Sequence, residues 1–115
     1  MKFCREHDIA ANAYRPLCFV KGGQNLVGSE VIKKIAAKHG KTSVQVVPCW
    51  GIQKDFVVIP KSSNPVRMAE NLGAEHFSLD ESDLAEIAKL DVYLRTCTAS
   101  PLFGSMTESE FWDNE

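Results

Sequence analysis

Two segments of this chain read as β-strand, and two helices separate them. That order limits the fold more than any other feature. A tight hairpin cannot join strands so far apart, so they must pair in parallel through a helical crossover. A two-stranded parallel sheet leaves both edges without partners and does not stand alone. The expected class is α/β, with further strands absent or supplied by another chain.

Residues 1–8 read as the end of a helix, and Ile9 to Tyr14 as the first strand. Pro16 then restricts Arg15 to an extended conformation. Residues 17–28 read as a loop around Gly22, Gly23 and Gly28. Ser29 to His39 reads as a helix. Ser29 caps it, Glu30 suits its positive end, and Gly40 can turn left-handed just past its end. Val31, Ile32, Ile35 and Ala36 share one face. Thr42 and Gln45 form a capping box for the second helix, in which Val44, Val47 and Ile52 make a partial apolar stripe beside Val46 and Trp50. Pro48 falls inside that helix. It removes a hydrogen bond and crowds the carbonyl of Val44, at a cost of about 3 kcal/mol or more, so a kink or a break near Val47 is expected.

Phe56 to Ile59 is an unbroken apolar run, as expected of a strand covered on both faces. Pro60 ends its ladder. Asn64 and Pro65 then open a helix to about Leu72, with Gly73 as its C-cap. Asp80 caps a last helix to about Leu90, with Asp83 at its third position and Leu84, Ile87 and Ala88 as its buried stripe. Residues 92–115 show no periodicity and read as a loosely attached tail.

At 115 residues the chain is one domain at most. A net charge of −2 gives no bulk attraction to nucleic acid or to an anionic membrane. No apolar run approaches the roughly 20 residues of a membrane span. Met1 to Asp8 lacks the apolar core of a signal peptide. Cys4, Cys18, Cys49 and Cys97 are far apart, as are His7, His39 and His76, so no metal or redox motif is present. Reduced thiols in a cytoplasmic protein are the expectation.

The chemistry gathers where the second strand meets its helix. Lys61 and Arg67 flank a helix N-terminus, and free backbone N–H groups there favour an anion. Taken alone, the residues fit a phosphate site and an ordinary turn with two solvated cations equally well.

The pattern Ile59-Pro60-Lys61-Ser62, followed by Asn64-Pro65, Arg67 and Glu70-Asn71, resembles the aldo-keto reductases. Ala13-Tyr14 with Pro16-Leu17, and Gly40-Lys41-Thr42 with Gln45-Val46, extend the resemblance over residues 1–91. It implies the C-terminal part of an eight-stranded (β/α) TIM barrel, with strands seven and eight and their flanking and extra helices. Residues 92–115 would follow as a tail. The resemblance further implies NADPH as cofactor. Tyr14 would stack on the nicotinamide. Pro16 and Leu17 would wall the pyrophosphate. Lys61, Ser62 and Arg67 would hold the 2′-phosphate, Ser63 and Asn64 would add polar contacts near the adenosine, and Glu70 and Asn71 would meet the adenine amino edge.

The family reduces aldehydes and ketones to alcohols with an Asp, Tyr, Lys and His set on its first four strands, and no residue here matches that set. Tyr93, Lys89 and His76 fall in the region of the extra helix and are not substitutes. The chain also carries Arg15 where the family usually has Ser, Pro48-Cys49 where it has Leu-Arg, and Asp55 at a turn that favours positive φ. The expectation is the cofactor-binding part of a reductase without its catalytic residues, inactive alone. The alternatives are a non-catalytic nucleotide-binding or interaction module and an inactive gene fragment. Completed by the missing strands, it would act on a small carbonyl substrate. Alone, it is expected to be poorly stable and to self-associate through exposed strand edges.

Overall fold

Strands β1 (Ala11–Ala13) and β2 (Phe56–Val58) pair in parallel, with Ala11 opposite Phe56, Asn12 opposite Val57 and Ala13 opposite Val58. The computed structural model describes residues 1–17 and 26–91. The tail over 92–115 and most of the loop over 17–28 lie outside the described residues. Among the described residues five helices accompany the strand pair: α1 (Lys2–Glu6), α2 (Glu30–His39), α3 (Ser43–Gln53), α4 (Pro65–Leu72) and α5 (Glu81–Ala88). Short 3-10 turns at Leu26–Gly28 and Gly73–Glu75 complete the described elements.

Helix α3 is the hub, packing on α2, β2, α4 and both 3-10 turns. The core gathers Ile32, Ile35 and Ala36 of α2, Val46, Val47 and Cys49 of α3, and Ala74, Leu79 and Ile87. Its capping box forms as the sequence predicts: Thr42 Oγ1 accepts from the Gln45 N–H at 3.3 Å, and Gln45 Oε1 accepts from the Thr42 N–H at 3.1 Å. The helix runs through Pro48 without breaking near Val47. Pro48 is fully buried, and burial of its ring offsets part of the lost hydrogen bond.

β2 is covered on one face only. Phe56 and Val58 point toward α3, while Val57 and Ile59 are 47% and 66% exposed. The unbroken apolar run therefore does not mark burial on both faces here, because the helices lie on one side of the strand pair.

Gly73 is the C-cap of α4 as expected, right-handed at φ −61° and leading into the 3-10 turn. A Cβ there would meet Gln45 Nε2 at 2.6 Å. Two local expectations need correction. Ser29 occupies the N-cap of α2, but its hydroxyl makes no capping hydrogen bond. Ala88 is exposed and Leu84 half-buried, so Ile87 is the one predicted stripe residue of α5 that is fully buried. Asp83 is buried beside it.

Gly40 is left-handed at φ 60°, and Asp55 adopts φ 64° at the turn into β2, both as expected. Asp55 also pairs with Arg5 at 3.1 Å, tying α1 to that turn. At the end of α3, Gln53 clamps the chain ahead of α5: its Oε1 accepts from the Leu79 N–H at 2.8 Å, and its Nε2 donates to the Leu79 carbonyl at 3.0 Å.

Candidate functional site

Parallel pairing sends both strands out at the same end. Tyr14 leaves β1 there and Ile59 leaves β2, so the two predicted contact segments start side by side. By alternation, Asn12, Tyr14, Val57 and Ile59 share the face away from α3. Tyr14 is 77% exposed, which leaves its ring free to stack on a planar ligand. Arg15 follows at φ 52°, not extended as Pro16 requires on steric grounds alone. A sharp turn out of β1 has overridden that preference, and a non-glycine residue held there carries local strain. Pro16 and Leu17 come next and are half-buried.

The turn after β2 is ordered by its own polar groups. Ser62 Oγ accepts from the Asn64 N–H at 3.2 Å. Asn64 Oδ1 accepts from the N–H groups of Val66 and Arg67 at 3.0 and 3.2 Å, and the Asn64 carbonyl accepts from the Met68 N–H at 2.9 Å. Pro65 has no N–H to offer. The expected free backbone donors at this helix start are therefore occupied by the cap. What remains for an anion is side chains and the positive end of the helix dipole. Lys61, Ser63 and Arg67 are exposed, and among the described residues neither cation forms an ion pair. Two unpaired cations at a helix start suit a phosphate monoester, so the residues fit the phosphate end of a nucleotide through side chains.

Farther along α4, Arg67, Glu70 and Asn71 lie three and four residues apart on one face. Glu70 is half-buried, and its Oε1 accepts from the Thr42 hydroxyl at 2.6 Å. The Oδ1 of Asn71 is buried and has no hydrogen-bond partner among the described residues. An open groove of about 320 Å³ runs between α3, the end of β2 and α4. Pro48, Ile52, Pro60, Met68 and Leu72 give it apolar walls, and Ser62 and Asn71 line it as well. Lys61 and Arg67 stand outside it. The structure thus gathers Lys61, Ser62, Ser63, Asn64 and Arg67 at one turn, places Glu70 and Asn71 along the same helix, and sets Tyr14, Pro16 and Leu17 at the neighbouring strand end.

The sequence reading missed two contacts. Thr42 shows itself as a cap but not as the partner of Glu70, because nothing in the sequence links positions 28 residues apart. The second is a charged cluster between α2 and α5. Lys38 Nζ donates to Asp80 Oδ2 at 2.5 Å and to Asp83 Oδ1 at 2.8 Å, and His39 Nε2 lies 2.7 Å from Asp83 Oδ2. Burial pushes the Asp83 carboxyl up, but hydrogen bonds from Lys38, His39 and the Asp80 N–H outweigh it and hold the group below its ordinary value. The Lys38 ammonium is raised by hydrogen bonds to Asp80 and Asp83. The Cys49 thiol is pushed up by burial, which makes it a poor nucleophile. Among the described residues no group of three His, Cys, Asp or Glu side chains could hold a metal, and no helix is long and apolar enough to cross a membrane.

A model of the aldo/keto reductase family matches residues 1–92. Aldose reductase B of Dictyostelium discoideum is 42% identical over 106 residues, covering 88% of this chain and 33% of that protein. The NAD(P)H-dependent D-xylose reductase of Scheffersomyces stipitis is 42% identical over 105 residues, covering 83% and 33%. A mutant of Gox0644 solved in complex with NADPH superposes with a TM-score of 0.70 at 42% identity, over 78% of this chain and 32% of that one. The chain spans about a third of the length of the curated relatives it matches.

Proposed function

This chain belongs to the aldo/keto reductase family, and from that premise we propose that it is the cofactor-binding part of an NADPH-dependent reductase of small aldehydes and ketones. Its strands β1 and β2 take the places of strands seven and eight in a (β/α) barrel of eight, and residues 92–115 form the tail that follows. Barrel enzymes commonly bind phosphate beside these two strands, at the face where the strands end. The observation that carries the reading is the pair of unpaired cations, Lys61 and Arg67, at the start of α4, beside the exposed ring of Tyr14 at the neighbouring strand end.

When bound, the dinucleotide supplies a hydride. The chain's own residues hold and orient it. Lys61 and Arg67 would neutralise the 2′-phosphate and Ser62 would hydrogen-bond to it, and the pair of long cations would favour the phosphorylated cofactor over NADH. Ser63 and Asn64 lie near the adenosine. Glu70 would present a carboxylate oxygen toward the adenine amino edge, with Asn71 beside it on the same helix. Pro16 and Leu17 would wall the pyrophosphate, and the Tyr14 ring would stack on the nicotinamide and fix the face it presents. No residue of the chain is assigned the proton transfer of carbonyl reduction.

Titrating the purified chain with NADPH, followed by cofactor fluorescence, tests the binding claim. Saturable binding that exceeds binding of NADH supports it, and no binding at millimolar NADPH sinks it. A reductase assay on an aromatic aldehyde is expected to show no turnover above background.

A further inference from the structure

The hydroxyl of Thr42 stands between two elements and serves both. It accepts from the Gln45 N–H at 3.3 Å, which caps α3, and it donates to Glu70 Oε1 at 2.6 Å, which reaches across to α4. A hydroxyl has one proton, and here that proton goes to the carboxylate. Gln45 is held in turn by the Thr42 N–H, and its Nε2 lies close against Gly73. The carboxylate is thus tied to a rigid helix start and not left to its own rotamers. Its second oxygen has no partner among the described residues.

Six residues separate the cap of α4 at Asn64 from Glu70, about 9 Å of helix rise. Lys61 stands just before that span, Arg67 lies midway along it, and an anchored acceptor stands at its far end. A ligand matching both carries an anion and, at a distance, a polarised N–H donor. We propose that Thr42 is a positioning residue for nucleobase recognition: by holding one oxygen of Glu70, it presents the other to the amino group of a purine. This rests on the nucleotide reading above. It adds that the α3 cap, which touches no ligand, sets the preference for a 6-amino over a 6-oxo base.

The test compares binding of NADPH and of its hypoxanthine analogue, in which a carbonyl replaces the adenine amino group, to the purified full chain. The wild type is expected to bind NADPH at least tenfold more tightly, since a carboxylate facing a carbonyl loses its donor. Thr42→Asp keeps a good N-cap but offers no donor to Glu70. It is expected to reduce the preference to threefold or less, as is Thr42→Val, whereas Thr42→Ser retains it. A purely structural role for Thr42 would weaken both nucleotides equally and leave the ratio unchanged, and that result overturns the proposal. A wild type that binds both nucleotides equally also overturns it. A wild type that binds neither overturns the nucleotide reading itself.

Discussion

Replacing Gly51 by Ala tests whether α3 is seated on β2 as described. Gly51 is buried in the helix face that meets the strand, and a Cβ built there would lie 2.9 Å from Val58 Cγ2. Carbon atoms in good contact sit about 3.5–4.0 Å apart, so something must give by more than half an ångström. Val58 is β-branched and stiff at χ1, which makes a side-chain escape costly. Overpacking of this kind costs about 1–3 kcal/mol. Against it stands the helix-propensity gain from Gly to Ala, about 1 kcal/mol. The steric term wins, and the net expectation is a loss of about 1 kcal/mol. In a Val58→Ala background the clash is gone, and the same Gly51→Ala change should stabilise α3 by about 1 kcal/mol, a coupling of about 2 kcal/mol between the two sites. Amide hydrogen exchange of α3 reads this locally, and a loss of about 1 kcal/mol appears as exchange roughly five times faster. If Gly51→Ala slows exchange in both backgrounds by the same factor, helix and strand are not in contact through this glycine and the packing argument fails.

Other outcomes follow from the candidate site and the charged cluster. Lys61→Ala and Arg67→Ala are each expected to weaken NADPH binding about tenfold, the worth of one charge-assisted contact, with less than a twofold change for NADH; equal losses for both cofactors would show that these cations do not read the 2′-phosphate. Asn64→Ala removes the acceptor for two N–H groups and should cost α4 about 1 kcal/mol, seen as lost helicity by circular dichroism, while Asn64→Ser should retain most of it; an unchanged Ala variant would contradict the cap. The Asp83 carboxyl is held below its unfolded value, so its contribution to stability is present above about pH 4 and lost as pH falls through the folded value. The amide shifts of α5 should report release from α2 in that acid range, and Asp83→Asn should shrink the step; an acid step of the same size in the variant would rule Asp83 out as its source.

Much of the fold was legible because it is written locally. The caps at Thr42, Asn64 and Asp80 each depend on side chains within three residues of the backbone groups they satisfy. Parallel pairing followed from the two helices between the strands, and the positive φ of Asp55 from its place at a helix-to-strand turn. What failed depended on neighbours distant in sequence. Val57 and Ile59 are as apolar as any core strand, but burial needs a second layer on that face. Gly73 reads as a helix stop and is one, but its close approach to Gln45, 28 positions earlier, appears only in the fold. Asp83 reads as a capping partner, and it is that, but only the fold brings Lys38 and His39 to it and makes its burial tolerable. The same holds within the candidate site. Its cations are visible in sequence, whereas the use of the α4 donors by Asn64 and the tether from Thr42 to Glu70 appear only in three dimensions.

The grip of Gln53 on Leu79 has a consequence for how these positions can vary over evolutionary time. Gln53 addresses the main chain of residue 79 through one acceptor and one donor, as a neighbouring strand would. Position 79 is therefore judged only on apolar volume and can drift among Leu, Ile and Met. Position 53 is judged on carrying both a donor and an acceptor at that reach. Glu would accept from the N–H but turn a negative charge on the carbonyl, and Lys would donate but leave the N–H unmet. A saturation library scored for folded chain should show that asymmetry: a broad apolar set at 79 and a nearly single-letter alphabet at 53.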